Sequence, residues 1–202
     1  MLVKTKAIVI STLKFQEKSL IVKCFTQSHG LKSYFVRNPF SGKKNNQKIA
    51  YFQPLSILEI EAVHKNKGTL EHFKEIKTAI PFQTIHLDIV KSTMVLFLSE
   101  ILHHAIHEEE QNEDLFKYLE TALQWLDTHN ETSNFHLILM LEITKFLGFY
   151  PDTSDQDFPF FEMNEGKFSP DQGISCLTEH ESHLLKKLMV TKFDSDQKVF
   201  AG

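Results

Sequence analysis

Cysteine is almost missing from this chain. Two stand among 202 residues, Cys24 and Cys176, far apart in sequence, which excludes a disulfide framework and a four-cysteine zinc site. Glycine is scarce as well: none of the seven forms a G-x-G-x-x-G turn or a Walker lysine loop, so no phosphate-cradling motif is present. A G-x-S-x-G nucleophile elbow is also absent. No apolar run approaches the roughly 20 residues needed to cross a bilayer; stretches such as Met94 to Leu98 are far shorter. The first residues lack the apolar run and small-residue cleavage site of a secretory signal. Internal repeats and low-complexity linkers are missing too. What remains is a chain of one or two domains, expected in the cytosol, with 42% hydrophobic residues to build a core.

Acid is missing from one place in particular. Residues 1–80 contain no Asp and five Glu, against thirteen Lys and the single Arg37, a net charge of +9. Residues 81–202 hold eight Lys against twenty-one acids, a net −13, so the modest total of −4 is the sum of two opposite halves. A balance that reverses at one point marks a domain boundary and implies different partners for the two parts. Hydrophobic patterning changes at the same place. The boundary is therefore set near Ile80–Pro81, giving domains 1–80 and 81–202.

The first half alternates with period two. Val3, Thr5, Ala7 and Val9 share one face and Lys4, Lys6, Ile8 and Ile10 the other. Leu20 to Thr26, Leu31 to Arg37, Leu55 to Val63 and Leu70 to Thr78 read as further strands, with a turn at Ser28-His29-Gly30. Five short strands in about 80 residues suit a small closed barrel, since closure removes exposed edges. An OB-fold barrel is preferred, with an SH3-like barrel as the rival.

The second half carries helical spacing, so the fold class is α+β with a barrel followed by a helical domain. Val90, Met94, Phe97, Ile101 and Ala105 recur at three and four residues, widened by Leu98 and Leu102. Asn112 caps a second segment bearing Leu115, Leu119, Ala122 and Leu126. A third follows Ser133 or Asn134, carries Leu137, Met140, Leu141 and Thr144, and stops at Gly148 before Pro151. Thr178-Glu-His-Glu181 has capping-box spacing ahead of Leu184, Leu185 and Leu188. Residues 152–175 read as an irregular excursion packed by Phe158, Phe160, Phe161 and Phe168.

Candidate chemistry is thin. His103 and His107 would lie one turn apart on a helix, as would His104 and Glu108, and such pairs can share a metal. The His-Glu-x-x-His order of a zinc protease is missing, so a solvated helix end is preferred, and no metal or other cofactor is expected. Cys24 lies within a strand, where it reads as a small buried hydrophobe. The basic half offers more. Lys14 and Lys18 lie between the first two strands, Lys65 and Lys67 between the last two. In an OB barrel these loops flank the ligand face, where Lys23, Lys32 and Arg37 would lie. Lys43, Lys44 and Lys48 crowd the following loop beside Phe40 and Tyr51. An excess of +9 over eighty residues favours nucleic-acid binding; the competing reading makes these lysines mere solubilisers, with Tyr34, Phe35 and Phe52 in the core.

The ordered pieces Val3–Ile10, Leu20–Thr26, Gly30–Arg37, Phe52-Gln-Pro-Leu55 and Leu147-Gly-Phe-Tyr-Pro-Asp152 resemble the bacterial recombination and repair mediator family RecO, over nearly the whole chain. The resemblance implies an N-terminal OB fold, a helical domain and a non-enzymatic role in RecF-pathway repair. It implies binding of single- and double-stranded DNA, annealing of complementary strands and association with RecR. It further implies contact with the acidic C-terminal tail of single-stranded DNA-binding protein, help in loading RecA, and a cytoplasmic, nucleoid-associated location. Arg37 falls at the family's basic position after the third strand, which implies DNA contact there.

Two departures stand out. Many members carry zinc cysteines just after the Pro-Asp motif, whereas residues 153–170 have none; phenylalanine packing is expected to fill that role. Members also continue through further helices after the point matching Lys198–Gly202, so a C-terminal segment is expected to be lacking. The alternative function is a module that recognises only protein.

Overall fold

A computed structural model describes residues 1–16, 18–37, 39, 49–65, 70–107, 111–130 and 132–193. They belong to two compact units, Met1–Asn130 and Glu131–Gly202.

The first unit begins with β1 (Leu2–Phe15), β2 (Ser19–Thr26), β3 (Gly30–Arg37), β4 (Ile57–Val63) and β5 (His72–Ile80). All pair antiparallel, in the order β3-β2-β1-β4-β5. The two edges meet beside Tyr34: Glu71 donates its N–H to the Ser33 carbonyl, and Phe35 donates to that of Glu71, each at 2.8 Å and in parallel sense. This is the strand order of the five-stranded, partly open Greek-key barrel called the OB fold. Full closure was the sequence expectation; among the described residues, β3 and the start of β5 are joined by a bridge and the sheet is not closed.

β1 is long because it serves two partners, β4 along residues 2–8 and β2 along residues 7–15. Ile10 is an extra residue in its ladder with β2, between Val9, opposite Cys24, and Ser11, opposite Lys23. A bulge of this kind reverses side-chain parity. Ala7 and Val9 therefore point inward, as the alternation predicts, whereas Leu13 and Phe15 point outward.

The barrel interior holds Ala7, Val9, Leu20, Val22, Cys24, Tyr34, Phe52, Leu58, Ile60 and Ala62. Tyr34 stacks on Phe73 with centroids 4.1 Å apart. Burial pushes the Cys24 thiol far above its ordinary pKa, so it stays neutral and unreactive.

Among the described residues, α1 (Ile89–Ala105) and α2 (Glu113–Thr128) follow the strands in this unit. Asn112 caps α2 by accepting from the Leu115 N–H at 3.0 Å, and Leu115, Leu119, Ala122 and Leu126 are buried as expected. Helix α1 buries only the Leu98 and Leu102 edge of its expected stripe. It buries Lys91, Val95, Leu98, Ser99 and Leu102 and leaves Val90, Phe97 and Ile101 at least a third exposed. Because apolar residues ring this helix, spacing alone did not fix which side packs.

The buried Lys91 belongs to a polar clasp. Its ammonium donates to the Thr84 hydroxyl at 2.7 Å and to the Asp127 carbonyl at 3.1 Å. The Asp127 carboxylate accepts from the N–H groups of Gln83, Thr84 and Ile85 at 2.7–3.0 Å. The turn leaving β5 is thereby fixed to the end of α2.

The second unit contains α3 (Phe135–Leu147), a hairpin of β6 (Phe160–Glu162) and β7 (Lys167–Ser169), and α4 (Glu179–Val190). Gly148 ends α3 at φ +80°, a left-handed turn that suits glycine. Here too the buried stripe, Phe135, Ile138, Leu139 and Ile143, differs from the expected one, for the same reason. The stretch expected to be irregular contains the hairpin, where Phe161 and Phe168 face each other across the strands with centroids 5.1 Å apart. The expected capping box at Thr178 and Glu181 forms in full.

Candidate nucleic-acid interface

Strand register decides which cations share a surface. Residues directly opposite in an antiparallel ladder lie on one face. Lys23 lies opposite Ser33, Ile21 opposite Phe35, and Ser19 opposite Arg37; β1 adds Ser11, Leu13 and Phe15 to the same rows. All of these face outward. Ile8, Phe25 and Leu31, at the other end of this outer face, are buried, and Phe25 packs on Phe116 of α2 with centroids 6.0 Å apart. The helices cover one end and leave the other open.

The open end is aromatic and basic. Leu13 is 64% exposed and Phe15 39%. Phe35 meets Phe15 edge-on at 6.1 Å and His72 edge-on at 6.2 Å between centroids. The Arg37 guanidinium lies 5.8 Å from the centre of the Phe35 ring, within cation–π reach, and Arg37 is exposed.

The expected cations divide on this frame. Lys23 and Arg37 share the outer face, and Lys18 is exposed in the β1–β2 turn. Lys65 is exposed just after β4, where its N–H donates to the Glu71 carboxylate at 2.8 and 3.0 Å. Lys14 and Lys32 do not join that face: they lie opposite Leu20 and Cys24, whose side chains turn inward. Lys43, Lys44, Lys48 and Lys67, and Phe40 with them, lie outside the described residues.

Other lysines of the basic half are engaged by acids. Lys4 and Lys74 hold the Glu61 carboxylate at 3.3 and 2.6 Å, Lys77 meets Glu75 at 2.9 Å, and Lys6 reaches Glu120 of α2 at 2.6 Å. The hydrogen bond from Lys74 is the main reason the Glu61 pKa falls below its ordinary value.

The histidines weighed as a metal pair, His103 and His107, do not share the helix, and Glu108 lies outside the described residues. Helix α1 ends at Ala105, so His107 lies beyond it, and His104 hydrogen-bonds Glu100 at 3.1 Å. Burial, then the charge of nearby Lys23, lowers the pKa of His103, leaving that ring neutral near pH 7. Among the described residues no group of three or more His, Cys, Asp or Glu could hold a metal ion, and no helix is long and apolar enough to cross a membrane.

Sequence reading missed Phe15, Leu13 and His72 and left Phe35 undecided between core and surface. Tyr34 and Phe52 are indeed core. The bulge at Ile10, which sets the parity of β1, had no signal in the alternation itself.

Two family models match most of the chain. The family described as "Recombination protein O N terminal" matches residues 1–82, and "Recombination protein O C terminal" matches residues 86–191. A protein named DNA repair protein RecO from Flavobacterium johnsoniae is 72% identical over 200 residues, covering 99% of this chain and 84% of that protein. Its namesake from Flavobacterium psychrophilum is 71% identical over 195 residues, covering 96% of this chain and 82% of its own length. One from Christiangramia forsetii is 41% identical over 200 residues, with 98% and 84% covered.

Proposed function

This chain belongs to the RecO family of DNA repair proteins, and on that premise we propose that it binds DNA on the open outer face of β1, β2 and β3. The observation that supports this most directly is the convergence of Lys23 and Arg37 on that face, with Lys18 and Lys65 in the exposed turns around it. Cations placed along a strand's path release its counterions, and the gain is strongly salt-dependent.

In this reading the chain is a non-enzymatic mediator acting in the cytoplasm at the nucleoid. It holds single- and double-stranded DNA and brings complementary strands close enough to pair. The acidic part, 81–202, meets RecR and the acidic tail of single-stranded DNA-binding protein, and the assembly assists RecA loading. For an acidic tail, Lys187 is the better cation of those on α4. It is exposed, whereas Lys186 donates to the Phe158 carbonyl at 2.7 Å, and Lys145 on α3 is paired with Glu142 at 2.6 Å.

Affinity for a single-stranded oligonucleotide, measured across salt concentrations, tests the DNA-facing reading. The logarithm of affinity is expected to fall steeply with that of salt. Reversing Lys18, Lys23 and Arg37 together should flatten the slope by about two to three, close to one for each phosphate that is no longer neutralised. An unchanged slope in that variant would remove this face as the site. No binding at low salt would leave the protein-only module as the better reading.

A further inference from the structure

Helix α1 is apolar on two opposite sides and buries only one of them. Lys91, Val95, Leu98, Ser99 and Leu102 face inward. At about 100° per residue, Ile89, Val90, Thr93, Leu96, Phe97 and Ile101 fall within an arc of about 140° on the opposite side. Ile89 is 79% exposed and Leu96 60%, Val90, Phe97 and Ile101 are exposed with them, and Leu87, just before the helix, is 85% exposed. Grouped apolar exposure of this extent marks an interface.

Charge narrows what can cover this face. It carries one acid and one imidazole, Glu100 and His104, hydrogen-bonded to each other at 3.1 Å. The single lysine of the helix, Lys91, is on the buried side. An acidic or a basic peptide would find no matching charge here, and a lipid surface no row of cations. An apolar centre depleted of charge is instead the composition of a homodimer interface. The face is also self-complementary. An antiparallel copy of α1, centred between Leu96 and Phe97, sets Phe97 beside the partner's Phe97, Ile101 beside the partner's Val90 and Glu100 beside the partner's Thr93. No like charges then meet, and the two helix dipoles oppose. A parallel copy would set Glu100 on the partner's Glu100.

We propose that two copies of this chain pair through the outward face of α1, antiparallel about a two-fold axis between Leu96 and Phe97. The pairing goes beyond the DNA-facing reading and does not depend on it. Each dimer presents two open barrel faces.

Sedimentation equilibrium of the full chain from about 1 to 200 μM tests this. The mass should rise from 23.5 kDa toward twice that value and no further. Leu96→Lys, at an exposed position, should weaken dimerisation at least about tenfold with an unchanged urea midpoint. Ile174→Lys, equally exposed but outside α1, should leave the mass profile as it was. Thr93→Glu, which sets two carboxylates against the partner's Glu100 pair, should weaken dimerisation about tenfold, and adding Glu100→Lys should restore it. A chain that stays monomeric over this range, masses beyond the dimer, or undiminished pairing in Leu96→Lys would overturn the proposal, as would a Thr93→Glu loss that Glu100→Lys does not repair. A monomer that instead sediments with phosphatidylcholine vesicles would also overturn it and give the face to a lipid surface.

Discussion

Tyr34 and His64, thirty residues apart, share a 2.8 Å hydrogen bond inside the barrel between the Tyr34 hydroxyl and the His64 Nε2. The other imidazole nitrogen, Nδ1, is buried without a hydrogen-bond partner among the described residues, and the His29 ring stands edge-on 5.0 Å away. A second proton on His64 would bring an unsolvated charge next to another imidazole. Burial, then His29, accordingly holds its pKa below the ordinary 6.5, although Glu71 acts in the opposite sense.

The sign of the pH dependence follows. A histidine whose native pKa lies below its unfolded value binds fewer protons when folded. Its stabilising contribution is complete above the unfolded value of 6.5 and is lost as pH falls from there to the depressed native value. Urea midpoints measured from roughly pH 8 down to pH 5 should therefore decline. His64→Gln, which can still accept from Tyr34, should flatten that decline, while His86 and His103, both also depressed, leave a residual slope. A profile of equal steepness in the variant would remove His64 as the cause.

The clasp at Asp127 predicts a large loss from a small change. Burial raises the pKa of this carboxylate, but donation from Gln83, Thr84 and Ile85 outweighs it and holds the group below its ordinary 3.8. Asp127→Ala would strand three backbone donors and leave Lys91 without its organised setting. We expect a loss of about 2–4 kcal/mol in chemical denaturation. Glu142→Ala, which breaks only the exposed pair with Lys145, should cost under about 1 kcal/mol.

Phe116 predicts how the unit can be divided. It is fully buried against Phe25, so Phe116→Ala should cost about 3–5 kcal/mol. A fragment of residues 1–80 would bare Ile8 and Phe25 and should aggregate at concentrations where residues 1–130 stay dispersed by light scattering. Equal dispersion of the two fragments would instead support 1–80 as a self-sufficient domain.

Lys4 and Lys74 predict a negative result. Both engage Glu61, so reversing either should change oligonucleotide affinity by less than about twofold, beside the larger loss from reversing Arg37. A loss matching that of Arg37 would move the DNA path to the β4–β5 side.

How much of this was readable beforehand depends on the physics of each element. Strands declared themselves because a half-buried ribbon must alternate, and Thr178 and Asn112 declared helix starts because their side chains meet local N–H groups. Helices α1 and α3 were found, but of their buried sides only Leu98 and Leu102 of α1 were: Val90 and Val95 are equally apolar, and the choice between them is made by the surface they pack on. Phe35 could not be assigned for a related reason. Its outward direction follows from the ladder with Ile21 and the bulge at Ile10, which join segments distant in sequence. Engaged lysines were hidden likewise, since Glu61 stands fifty-seven residues from Lys4.

Those engaged lysines give the barrel an electrical direction. Where β1, β4 and β5 run side by side, Lys4 pairs with Glu61 and Lys77 with Glu75, so that their charges cancel at short range, while Lys23 and Arg37 stand on β2 and β3. A polyanion within a screening length, about 10 Å at 0.1 M salt, would exert a torque on such a molecule and rotate its open face forward before any contact forms. The acids interleaved among the basic strands thus act as a rudder: they offset cations on β1, β4 and β5 and leave the net +9 of residues 1–80 weighted toward β2 and β3.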